Sequence, residues 1–307
     1  MKRWLLRIVL GLISLAVLAY AFAAAQIEWQ VRAAAREGAS QLASELALPR
    51  AELAAPAADA KPVLILLHGA GLNGQMWNPV RRHLDPRLRV IALDLPGHGA
   101  HSNGTYSVDG AVATVLAAAR SLAPARVVLV GDSLGGYTAM AAAVALPRGQ
   151  LAGIVMAGSS GDINLKGMAS GIAQSLFVRS LLLFGSEDAL ATRALGLFGI
   201  AQADTPPIVA AGVHLNAVVP AARALMGIDF RRKLAALDVP LLIANGSLDH
   251  GAVEHEDSYV AAARRVTRLH FENCEHGVSM RRPAEFAAAV NAFVTCLGNQ
   301  ESPCKLK

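Results

Sequence analysis

The chain has 307 residues, 54% of them hydrophobic and 17% charged, and carries a net charge of +5. Such apolarity excludes an intrinsically disordered segment, and three cysteines in a chain of this length exclude a disulfide-framed miniprotein. Much of the positive excess sits in Lys2, Arg3 and Arg7, and no compact Lys/Arg cluster with interleaved aromatics occurs, so no nucleic acid is expected as a partner.

The N-terminus reads as a targeting segment. Those three basic residues precede an uncharged, mostly apolar run over residues 8–25, with small-x-small sites at Ala21-Phe22-Ala23 and Ala23-Ala24-Ala25. Residues 1–25 therefore form either a cleaved signal peptide or an uncleaved transmembrane anchor; the run is long for the first and just long enough for the second. Both readings place the rest of the chain outside the cytoplasm, exported to the periplasmic or extracytoplasmic side. The second adds membrane association through residues 1–25. Residues 26–60 are Ala-rich, helix-like in spacing as far as Leu48, and run into the linker-like stretch AAPAADAKP at 54–62.

Short apolar runs then recur at 63–67, 90–93, 127–130, 151–156, 239–244 and 266–271, separated by Gly-rich turns and helical patterns. Continuous apolar strands alternating with helices predict an α/β fold with a mostly parallel sheet covered on both faces. The alternation breaks once: residues 159–238 show helical patterning, including 172–183 and 208–226, and no clear strand. An insertion of that size predicts a helical cap between a first core segment, 61–158, and a second, 239–297, with 298–307 as a tail. Arg282-Pro283 looks like a helix start, so Cys274 and Cys296 are held apart. A Cys296–Cys304 bridge is one expectation for the cysteines and two free thiols the other.

In such sheets ligands bind at the carboxyl ends of the strands, where the candidate residues lie. After the 127–130 run comes Gly131-Asp132-Ser133-Leu134-Gly135-Gly136, leading into an Ala-rich helix. The pattern G-x-S-x-G is weak alone, and a structural glycine turn is the plain alternative. Between a buried strand and a helix it becomes specific, because that turn exposes the serine hydroxyl and needs glycines where strand and helix approach. A hydroxyl needs a base to take its proton, and nine histidines compete. His270 sits within a strand run, where a core histidine is the default. His250 and His255 flank an acidic stretch as surface groups or loose metal ligands. His276 lies in the loop after the last strand, at the same sheet end as Ser133, and is the candidate base. Asp249, one strand earlier, is the candidate acid that orients it, with Asp162 as rival. Ala70, in His68-Gly69-Ala70-Gly71, and Leu134 are the candidate backbone donors to an oxyanion, while His68 supports its loop without reacting.

With HGAG, DLPGHG at 94–99, GDSLGG and the late Asp and His in this order, the chain resembles the α/β-hydrolase superfamily over about residues 62–294. It is most similar to small bacterial esterases, lipases and perhydrolases. Epoxide hydrolases and haloalkane dehalogenases carry Asp at the elbow centre, whereas Ser133 is central here and Asp132 precedes it, where relatives often have His or an aromatic. The opening strand hairpin is not recognisable before Pro62, and GHGAHS is one residue longer than the common GHGxS. The resemblance implies a serine hydrolase that cleaves a carboxylic ester through an acyl-enzyme, with no cofactor and no metal; separately, the apolar, sparsely charged stretch between Gly167 and Gly212 in the expected cap predicts an apolar small-molecule substrate. Acyl transfer, perhydrolysis or carbon–carbon hydrolysis by the same residues, and a non-catalytic binding scaffold, are the alternatives.

Overall fold

Every residue of strand β1 (Val63–Leu67) is buried, yet alternate side chains enter different layers: Val63, Ile65 and Leu67 join one apolar cluster, Leu64 and Leu66 another. A strand dry on both faces must lie inside a sheet covered on both sides, because successive side chains point in opposite directions. The computed structural model describes residues 61–163, 186–214 and 217–298, with the isolated positions Trp4, Gly11 and Ser14.

Five further strands complete the sheet: β2 (Val90–Leu93), β3 (Val127–Asp132), β4 (Leu151–Ala157), β5 (Leu241–Gly246) and β6 (Val266–Phe271). Their order is β2-β1-β3-β4-β5-β6, and every pairing is parallel. Strands β1, β2 and β6 coincide with the apolar runs. Strand β3 continues through Gly131 and Asp132, β4 includes Ala157, and β5 begins at Leu241 and runs through Asn245 to Gly246. In each case polar or small residues extend the strand towards the end where the chemistry lies. Apolarity marks the middle of a buried strand better than its end.

The helices form two layers. Against one face pack α2 (Val108–Ser121) and α3 (Leu134–Ala143), through Ala111, Val115, Ala119, Ala139 and Met140. The other face is covered by α1 (Asn78–Arg81) and the C-terminal α10 (Pro283–Gly298), through Val80, Phe286 and Phe293. Helix α10 begins at the proline, as expected. Cys296 on this helix is disulfide-bonded, whereas Cys274 is a buried free thiol; Cys304, the expected partner of Cys296, lies outside the described residues.

Between Ala157 and Leu241 the described residues contain helices and no strand: α4 (Glu187–Leu197), α5 (Thr205–Ala210), α6 (Val218–Leu225) and α7 (Phe230–Ala235). The helical pattern expected over 208–226 is interrupted at Gly212, whose φ of +92° ends α5 in the left-handed region that a glycine adopts at least cost. The pattern over 172–183 lies outside the described residues, as do residues 26–60 and the expected leader. No helix among the described residues is long and apolar enough to cross a membrane. This helical segment is tied to the rest of the structure beside the loop after β1. Asn73, fully buried there, donates through Nδ2 to the carbonyls of Ile208 and Gly212 at 2.8 and 2.7 Å, and the His214 N–H donates to the Gly71 carbonyl at 2.8 Å.

Candidate active site

Ser133 stands between β3 and α3 with φ 51° and ψ −114°, an unfavourable conformation for a residue with a Cβ. Packing imposes it. A Cβ on Gly131 would collide with the backbone of Gly135, and a Cβ on Gly135 would collide with the Leu67 carbonyl at the end of β1. Glycine at both positions lets the helix start directly against the strand ends, which turns Ser133 outwards. Leu134, the first residue of α3, has an N–H with no intrahelical partner. Ala70 lies half-buried in the loop after β1.

His276 lies in the loop after β6, just before Gly277 (φ +86°) and the short helix α9 (Val278–Arg281). Its Nδ1 is 2.7 Å from Asp249 Oδ2. Asp249 caps α8 (His250–Ala262), and its other oxygen accepts from the Ala252 N–H at 3.4 Å. The carboxylate is thus fixed by one helix end, and it in turn fixes the ring with a proton on Nδ1, leaving Nε2 as acceptor. Desolvation of the imidazole, which keeps a partly exposed face, works to lower its pKa. The Asp249 hydrogen bond and charge, with the Asp132 charge behind them, outweigh burial and the opposing Arg281, so His276 sits above the usual histidine value of 6.5.

The rival acid is engaged elsewhere. Asp162 pairs with Arg231 at 3.0 Å and lies 3.9 Å from His255 Nδ1, which makes both partners of a surface ion-pair group. His270 is not a plain core histidine either: a third exposed, it lies 2.9 Å from the buried carboxylate of Glu256. Glu256 accepts from Asn245 Nδ2 at 2.6 Å, and Asn245 Oδ1 accepts the Gly158 N–H at 2.8 Å. Gly158 presses on the His276 ring and the Asp249 carboxylate, so that a Cβ there would meet the imidazole at 2.7 Å. The sequence signals for this support are slight: Asn245 is a polar residue in an otherwise apolar strand run, and Gly158 lies just past another.

Opposite this group, His68 is fully buried, with Nδ1 2.8 Å from the Gly69 carbonyl and Nε2 accepting the Leu95 N–H at 2.9 Å. It staples the loop after β1 to the loop after β2. A strained serine, a carboxylate-bound imidazole and a helix N-terminus at one sheet end can perform nucleophilic acyl transfer.

A model of the Alpha/beta hydrolase family matches residues 64–289. The chain belongs to the alpha/beta hydrolase family. The hydrolase is 30% identical to pimeloyl-[acyl-carrier protein] methyl ester esterase of Serratia marcescens over 244 residues, 75% of this chain and 93% of that relative. The esterase of the same name from Xanthomonas campestris pv. campestris is also 30% identical, over 252 residues, 77% of this chain and 96% of the relative. Among solved structures, a carboxylesterase structure from the thaumarchaeon Nitrososphaera gargenis shares the fold with a TM-score of 0.65 at 17% identity, over 79% of this chain and 93% of that one.

The burial of His68 has a consequence for stability. Burial first, and the neighbouring His98 second, lower its pKa from 6.5 to about 3. Between those values the unfolded chain holds a proton at this site that the folded hydrolase does not, so stability falls as pH drops, by about 1.4 kcal/mol per unit. His68→Gln should be less stable at pH 7 but less sensitive to acid. Urea unfolding at pH 7 and pH 5 should show the wild type losing about 2 kcal/mol more than the variant; equal losses would contradict the assignment.

Proposed function

We propose that this hydrolase cleaves a carboxylic ester through an acyl-enzyme, with Ser133 as nucleophile, His276 as general base and Asp249 as the acid that orients it. The observation that carries the reading is the 2.7 Å contact between His276 and Asp249 at the same sheet end as the strained Ser133. His276 Nε2 takes the Ser133 proton as Oγ bonds to the ester carbonyl carbon. The Ala70 and Leu134 N–H groups receive the developing oxyanion. The imidazolium then returns the proton to the departing alcohol as the C–O bond breaks. Water, activated by the same base, attacks the acyl-enzyme, releases the acid and restores the Ser133 hydroxyl.

The substrate we propose is an uncharged acyl ester of short to medium chain. Support comes from the insertion, whose residues 167–212 are strongly apolar with few charges, chiefly Arg179, Glu187, Asp188 and Arg193. Within the described part, Ile200 and Ile208 are buried in the core layer while Leu197 is 79% exposed. The relatives' name, methyl ester esterase, agrees with an ester of a small alcohol. An apolar pocket gains roughly 0.8 kcal/mol per buried CH₂, so kcat/KM should climb with acyl length until the pocket is full. We also propose export, with residues 1–25 as signal or anchor.

Ser133→Ala and His276→Ala should each remove nearly all turnover while the protein stays folded, because the two act as a unit. Asp249→Asn should lower kcat by about 10⁴-fold through the wrong imidazole tautomer, while Asp162→Asn should be mild. The acid limb of kcat/KM should lie above pH 6.5, since the base works only when neutral and its pKa is raised. A Ser133→Ala protein that keeps most of its esterase activity would end the reading. Across nitrophenyl esters from acetate to laurate, kcat/KM should rise and then level. A flat series, or preference for a charged acyl group, would refute the apolar pocket. Mass spectrometry of the protein from its own cell envelope should find either a new N-terminus near Ala24 or Gln26, or Met1 in the membrane fraction. Recovery of all the protein in the cytosol would refute export.

A further inference from the structure

Asp132 has no part in the mechanism above, yet it sits at its centre. It ends β3 immediately before Ser133 and is 1% exposed. Ser279 Oγ donates to Asp132 Oδ2 at 2.5 Å, and the Ser279 backbone makes a second hydrogen bond to the same carboxyl. Ser279 belongs to α9, the turn that follows His276. The other oxygen, Oδ1, faces the loop after β1: a Cβ built on Gly69 would lie 3.8 Å from it. One side chain thus directly precedes the nucleophile, is hydrogen-bonded to the turn after the base and faces the loop of the candidate oxyanion donor.

A buried carboxyl is a costly way to fill that space, since an apolar side chain would need no compensation for lost hydration. The groups that face it show what it can supply. Burial raises the Asp132 pKa, and the like charge of Asp249 adds to this; His276 and the two Ser279 hydrogen bonds work in the opposite direction. The coupling is mutual. His276 is acted on by burial, by Asp249, by Asp132 and by Arg281, and of these the two carboxylates favour its charged form. Arg281 opposes them while donating through Nε to the His276 carbonyl at 2.9 Å and pairing with Glu275.

We propose that Asp132 is a positioning residue for the hydrolysis: it ties the strand carrying Ser133 to the helix following His276, and its carboxylate is a second negative charge supporting the imidazolium. The inference rests on the Ser133–His276 reading. Asp249 sets the ring's tautomer from the Nδ1 side, whereas Asp132 fixes the separation of the two loops between which the proton moves. Its effect falls on proton transfer and not on substrate binding, so it enters kcat and leaves KM.

The test pairs two substitutions. Asp132→Asn keeps the shape and an acceptor for Ser279 but removes the charge. The acid limb of kcat/KM should move down by about one pH unit, and kcat should fall roughly tenfold with KM within about twofold. Ser279→Ala keeps the carboxyl and removes the hydroxyl bridge, and should also lower kcat roughly tenfold at near-constant KM. An Asp132→Asn enzyme whose acid limb stays at the wild-type position overturns the proposal, whatever its turnover. So does a Ser279→Ala enzyme with wild-type kcat, which decides the matter if Asp132→Asn does not fold. Ser133→Ala assayed alongside separates the two failures. If it retains turnover, the hydrolase reading has failed; if it is inactive while the Asp132 and Ser279 variants match wild type, only this inference has.

Discussion

The structure depends on how closely α3 approaches the ends of β1 and β3. Every residue of α3 is buried, and the helix begins where Gly135 lies against the Leu67 carbonyl. That approach forces Ser133 into a conformation costing about 1–3 kcal/mol. The cost is offset by packing an Ala-rich helix against a sheet whose central strands are dry on both faces. Small residues matter throughout: a bulkier face on α3 would hold the helix away from the sheet, relax the turn and withdraw the serine hydroxyl. The strain is therefore a property of the whole layer of packing.

Around this turn, two histidines at the same sheet end are driven in opposite directions. His68 is enclosed by backbone groups and a neighbouring histidine, so burial dominates and it stays neutral. His276 is held by one carboxylate and faced by another, so charge outweighs burial and it takes a proton more readily. The first is a staple between loops, and the second is able to accept a proton. Partners decide the difference, since both side chains start from the same intrinsic pKa.

Most of the core was legible in the sequence because buried parallel strands leave continuous apolar runs, and because the GDSLGG turn admits few alternatives between a strand and a helix. The ends of the strands were not, since Asn245 and Asp132 are polar residues continuing an apolar element. Order along the chain favours Asp249 over Asp162, and the contacts point the same way: Asp249 meets His276, while Asp162 pairs with Arg231. The contacts of Asn245, Gly158, Ser279 and Asp132 join segments far apart in sequence, and periodicity carries no information about those. The long helical pattern over 208–226 failed for a local reason, a glycine in the left-handed region.

A Ser133 activated by His276 should react with a serine-directed phosphonate, because the label forms only on a hydroxyl whose proton is being removed. Peptide mapping of the treated protein should find one label per chain, located on Ser133 and lost in His276→Ala. A folded wild-type protein that takes up no label, or takes it up at another residue, would contradict that activation.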